Sequence, residues 1–190
     1  ALAEAGADVA LSGRSFGPAE EAASALAKAT GRRAKAFAAD VTSAADVERL
    51  AASVESALGP IDVLINNAAL YYDQDIMDQS ISYMRKVLEI NLIGQLICSR
   101  AVYPYMKEQH SGSIINIAST AAYPLPLPPM PFDTFSTNAY GLSKSGMIYM
   151  TKMMSRQAGQ DGIRVNAIAP GVTMSEATKK IVPEFAIKGL

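Results

Sequence analysis

Apolar and polar positions follow two distinct rhythms along this chain. Compact apolar runs have the length and Val/Ile content of buried strands: DVALSG (8–13), AKAFAADV (34–41), IDVLINNAA (61–69), GSIINIAST (112–120) and IRVNAIAPG (163–171). Between them lie amphipathic stretches that predict helices over 17–31, 43–59, 80–109 and 138–160. Pro18 stands in the first turn of the first helix and Gly31 at its end, while Ser43 and Gly59 bracket the second. Strict alternation of strand and helix predicts an α/β fold, a doubly wound parallel sheet covered on both faces, built as a single domain over 1–190. The segment 121–137, AAYPLPLPPMPFDTFST, breaks the rhythm. It holds five of the ten prolines, so it is neither helix nor central strand. We expect an inserted semi-rigid loop there, with Tyr123, Leu125, Leu127, Met130 and Phe132 as apolar walls of a substrate pocket.

In a parallel sheet of this kind, ligands sit beyond the carboxyl ends of the strands. The unusual residues gather there: Gly13-Arg14-Ser15, Asp40-Val41, Asn66-Asn67-Ala68-Ala69, Ser119 and Pro170-Gly171. Each group ends a different strand, which is more than turn chemistry alone requires.

Composition narrows the class of ligand. Hydrophobic residues make up 49% of the chain and charged residues 18%, the balance of a folded globular protein. A net charge of −1 gives no basic footprint for nucleic acid or an anionic membrane, and no apolar run reaches the length of a bilayer span. The expected partner is a small molecule. Cys98 is the sole cysteine, so no internal disulfide forms and a reducing, cytoplasmic setting is expected. His110 is the sole histidine and has no cysteine nearby, so no metal site is expected.

Tyr140 and Lys144, in NAYGLSKSG, are one helical turn apart. Met147, Thr151 and Met154 share their arc, and Ser145, Tyr149, Lys152 and Arg156 lie opposite. The pair therefore faces the protein, where a lysine is costly without a task. A free phenol has a pKa near ~10, and an ammonium beside it stabilises the phenolate. A phenol tuned in this way exchanges a proton with a carbonyl or alcohol oxygen. On spacing alone, a partly buried tyrosine beside a snorkelling lysine is the commoner account of such a pair.

Five segments in order, LINNAA, INLIG, IINIAST, NAYGLSKSG and RVNAIAPG, resemble the short-chain dehydrogenase/reductase family, in particular its 3-oxoacyl-ACP reductase-like and sugar- and ketone-reductase branch. The resemblance covers nearly the whole chain. It implies a Rossmann-like fold and makes Tyr140 the general acid/base. Lys144 becomes the residue that tunes it and holds the nicotinamide ribose, Ser119 the hydroxyl that orients the substrate oxygen, and Asn91 the residue that helps hold a proton-relay water. Asn67, Ala68 and Ala69 would line the cofactor, although the family's usual glycine is Ala69 here. Asp40 and Val41 would meet the adenine, and Pro170 and Gly171 the nicotinamide. Thr173 or Ser175 would stand near the carboxamide, and counting does not choose between them.

The resemblance also implies a nicotinamide cofactor. An acid at the end of the first strand would accept ribose hydroxyls, but Arg14 and Ser15 stand there, which favours NADP(H) with NAD(H) as the alternative. The family's Gly-rich phosphate loop and the strand before it are absent from the sequence, and both ends read as truncated. The expected function is interconversion of a carbonyl and a secondary alcohol by hydride transfer, in a homodimer or homotetramer. The alternative is a non-catalytic dinucleotide-binding or scaffold protein that retains the fold.

Overall fold

The computed structural model describes residues 1–71, 80–123, 139–171 and 173. Ser175 and most of the proline-rich segment, including Leu125, Leu127, Met130 and Phe132, lie outside the described residues.

The strands are β1 (Val9–Gly13), β2 (Ala34–Ala38), β3 (Val63–Asn66), β4 (Gly112–Ile117) and β5 (Ile163–Ile168). The helices are α1 (Phe16–Thr30), α2 (Ala44–Leu58), α3 (Ile81–Leu88), α4 (Gly94–Glu108) and α5 (Ala139–Ala158). Every pairing is parallel. Among the described residues the strands form two ladders, β1-β2 and β3-β4-β5, rather than one continuous sheet. Four predicted strands overran their ladders. β2, β3, β4 and β5 stop at Ala38, Asn66, Ile117 and Ile168, and the residues beyond them are the turns where the site is built.

Local chemistry sets the helix ends. Gly31 closes α1 at φ 69°, a left-handed conformation that glycine takes without a Cβ clash. Ser43 caps α2 by accepting from the Asp46 N–H at 3.3 Å. The helix predicted over 80–109 is α3 and α4 joined through a π-helical turn at Glu89–Ile93, with Asn91 inside it. A 3.6-residue rhythm hides such a turn because the apolar stripe resumes on the far side.

The core lies on the three-stranded sheet. Val102 and Met106 of α4, Ile114 of β4, Ile163 and Val165 of β5, Ala51 of α2 and Ala158 of α5 form one buried cluster. A smaller cluster of Leu70, Tyr83, Val87 and Ala139 lies beneath the carboxyl end of β3. Gly94 brings α4 against the turn after β2, since a Cβ there would stand 2.9 Å from Val41 Cγ2. This approach links the two sheets.

Candidate active site

Tyr140 and Lys144 occupy the first turns of α5, which buries Lys144, Met147 and Thr151 while Tyr149, Lys152 and Arg156 stay exposed. Lys144 is 1% exposed. Its Nζ donates to the Ile117 carbonyl at 2.6 Å, at the carboxyl end of β4, and stands 5.4 Å from the centroid of the Tyr140 ring. Burial pulls the ammonium from 10.5 down to about 8, because desolvation penalises the charged form.

Asn91, fully buried in the π turn, fixes the surroundings of Tyr140. Its Oδ1 accepts from the Leu70 N–H at 2.7 Å, and its Nδ2 donates to the Leu70 carbonyl at 3.2 Å and to Ser143 Oγ at 3.2 Å. Ser143 Oγ in turn donates to the Tyr140 carbonyl at 2.6 Å. One carboxamide thus holds the chain leaving β3 and the first turn of α5 together. The ring of Tyr71, next after Leu70, lies against Tyr140 with centroids 4.4 Å apart and planes at 45°.

Ser119 opens a short 3₁₀ turn at Thr120–Ala122, and its Oγ accepts from the Ala121 N–H at 3.1 Å. That bond takes one acceptor site of the hydroxyl and leaves its proton uncommitted to it. The turn is tied to α5 by the Ser145 hydroxyl, which donates to the Ala122 carbonyl. It is tied to the end of β5 by the Thr120 N–H, which donates to the Pro170 carbonyl at 3.0 Å.

A second group of predicted residues lines the strand ends. Asn67, Ala68 and Ala69 form an exposed strip after β3, and the Ala68 carbonyl accepts from Gln95 Nε2 at 2.6 Å. Pro170 is half-buried; Gly171 and Thr173 are exposed, with Thr173 Oγ1 donating to the Gly171 carbonyl at 3.3 Å. Asp40 accepts from the Thr42 N–H at 2.9 Å and the Thr42 hydroxyl at 2.8 Å. These bonds hold its carboxyl below the usual range, and the positive charge of Arg14 acts in the same direction. Arg14 and Ser15 sit exposed beside a cleft of about 470 Å³, between the end of β1 and the first turns of α1. Another cleft, of about 340 Å³ between α5 and β5, contains neither Tyr140 nor Lys144. The open strip after β3 and the cleft after β1 both lie at the carboxyl ends of strands, where ligands sit in this class of sheet.

Sequence reasoning missed the buried polar network beneath this surface. Asn66 Nδ2 donates to Asn116 Oδ1 at 2.9 Å and Ser99 Oγ at 2.9 Å, and Asn116 Nδ2 donates to Thr151 Oγ1 at 2.8 Å. Asparagines inside apolar strand runs were the available signal, since a buried amide demands partners. Tyr71 was missed as well; its only signal was an aromatic residue just beyond the NNAA strip.

The family model for short chain dehydrogenases matches residues 1–185. An uncharacterized oxidoreductase of Mycobacterium tuberculosis is 36% identical over 137 residues, covering 70% of this chain and 51% of that protein. A 3-oxoacyl-[acyl-carrier-protein] reductase of Synechocystis is 32% identical over 184 residues, covering 97% and 71%. The crystal structure of a short chain dehydrogenase from Mycobacterium smegmatis superposes with a TM-score of 0.78 at 28% identity, covering 89% of this chain and 68% of that one. The chain therefore spans about half the length of the M. tuberculosis relative and larger shares of the other two.

Proposed function

This chain belongs to the short-chain dehydrogenase family, and on that premise we propose that it interconverts a carbonyl compound and a secondary alcohol with NADP(H). The observation that carries the reading is the buried Lys144 ammonium standing 5.4 Å from the Tyr140 ring while anchored on the Ile117 carbonyl.

The cofactor supplies or accepts the hydride at the substrate carbon. In the reductive direction the carbonyl π pair moves onto oxygen as the C–H bond forms, and the Tyr140 hydroxyl gives that oxygen its proton. Lys144, as a cation, stabilises the negative charge left on the Tyr140 oxygen. Ser119 donates its hydroxyl proton to the substrate oxygen and holds it near Tyr140. Asn91 acts as a positioning residue, because its bonds to Leu70 and Ser143 fix the first turn of α5. Asn67, Ala68, Ala69, Pro170, Gly171 and Thr173 border the nicotinamide half, and Asp40 and Val41 the adenine. Arg14, with Ser15, pairs with a 2′-phosphate; the exposed guanidinium beside the cleft supports NADP(H) over NAD(H). A homodimer or homotetramer acting in the cytoplasm completes the proposal.

The test is NADPH fluorescence on binding, followed by a ketone panel comparing the native protein with Tyr140→Phe. NADPH binding with turnover that vanishes in the variant is expected. Binding without turnover of any carbonyl compound would overturn the reading.

A further inference from the structure

Tyr71 is not needed for proton transfer, yet it is held against the reacting phenol from several sides. Its ring is 4.4 Å from Tyr140, centroid to centroid, at 45°. Leu70, the residue before Tyr71, is gripped through both its N–H and its carbonyl by the Asn91 carboxamide. Ala139, the residue before Tyr140, is buried in the same small cluster as Leu70, with Tyr83 and Val87. Asn91 also reaches Ser143, whose hydroxyl caps the Tyr140 carbonyl. The two rings are therefore held in mutual register by a buried clamp rather than by their own contact alone. Both rings remain partly exposed.

We propose that Tyr71 is a specificity-determining residue that selects carbonyl substrates bearing an aromatic or other flat unsaturated group beside the carbonyl. A carbonyl hydrogen-bonded to the Tyr140 hydroxyl places its flanking group next to the Tyr71 ring. An aromatic flank gains offset or edge-to-face contact there, which a saturated flank of equal size does not. Asn91 fixes the backbone on both sides, so the selecting face is set before substrate arrives and little ordering is lost on binding. The proposal rests on the carbonyl-reductase reading above.

The test pairs acetophenone with cyclohexyl methyl ketone, two ketones of similar size that differ in aromaticity. The NADPH-loaded protein, Tyr71→Phe and Tyr71→Ala are compared by kcat/KM and, separately, by saturation-transfer NMR of each ketone. The acetophenone preference is expected to fall about tenfold in Tyr71→Ala and to persist in Tyr71→Phe, which keeps the ring. A preference unchanged in Tyr71→Ala, or lost equally in both variants, overturns the proposal. The NMR arm separates the two readings. Ring-dependent acetophenone binding without turnover supports the role of Tyr71 and sinks the reductase reading. Turnover with binding indifferent to the ring does the reverse.

Discussion

The two sheets make opposite uses of polar residues. Around β3-β4-β5 a set of polar groups is turned inward: Asn66 and Asn116 of the strands, and Ser99, Thr151, Asn91 and Lys144 of the helices and turn packed on them, are buried and hydrogen-bonded. In β1-β2 and the turns after it they point outward, with Arg14 and Ser15 exposed beside an open cleft. On the proposed function, the three-stranded half couples chemistry to stability, because these six polar groups are desolvated and depend on their partners. On the proposed function, the two-stranded half separates recognition from stability, because Arg14 and Ser15 meet solvent. Substitutions in the first should cost both activity and folding, with Tyr140 an instructive exception at the surface of the network. Substitutions in the second should redirect ligand choice and leave the fold intact.

The sharpest probe of the chemical half is Tyr140→Phe, which should lower turnover by about a thousandfold while NADPH binding is retained. Equal loss of binding would show that the hydroxyl serves cofactor binding rather than proton transfer.

Titration of Lys144 gives the next effect. Its folded pKa is about 8 against 10.5 for an ordinary lysine, so the unfolded chain holds the proton more tightly. The penalty for keeping it charged in the fold is full below about pH 8 and is relieved as pH rises to the unfolded value. Relative to Lys144→Met, the native protein should gain about 3 kcal/mol between pH 8 and 10.5, read from urea unfolding at each pH. A flat difference would mean that the ammonium is solvated.

Asn116→Leu should cost about 2–3 kcal/mol in urea unfolding, because it strips partners from Asn66 and Thr151 inside the sheet. The comparison would weaken if the cost matched that of a surface change.

Arg14→Glu should be the mildest of the four. It should lower NADPH affinity about tenfold, shift preference toward NADH, and move stability by no more than about 0.5 kcal/mol. A marked loss of stability would erase the distinction between the two sheets.

Much of this was legible in the sequence, for reasons that also mark where legibility ended. Strand and helix order follow from local periodicity, as do the inward Lys144 and the exposed Tyr149, Lys152 and Arg156 of α5; Ser145, expected on that outer face, is instead half-buried against the Ala122 carbonyl. The division into two ladders was not expected, since strand pairing is a long-range property that local periodicity does not carry. The family resemblance pointed to Asn91, but its grip on Leu70 joins positions 21 apart in sequence. The Tyr71 contact spans a still longer interval and left no local pattern.

The π turn at Glu89–Ile93 carries a consequence for insertions and deletions. The wide turn takes up one extra residue, so removing one residue there would rewind the segment as ordinary helix and leave α3 and α4 presenting nearly the same faces. What the deletion would remove is the displaced position from which the Asn91 carboxamide reaches Leu70, while Val102 and Met106 keep their place in the core. The extra residue in this segment thus serves the grip of Asn91 rather than the packing of the helices on either side.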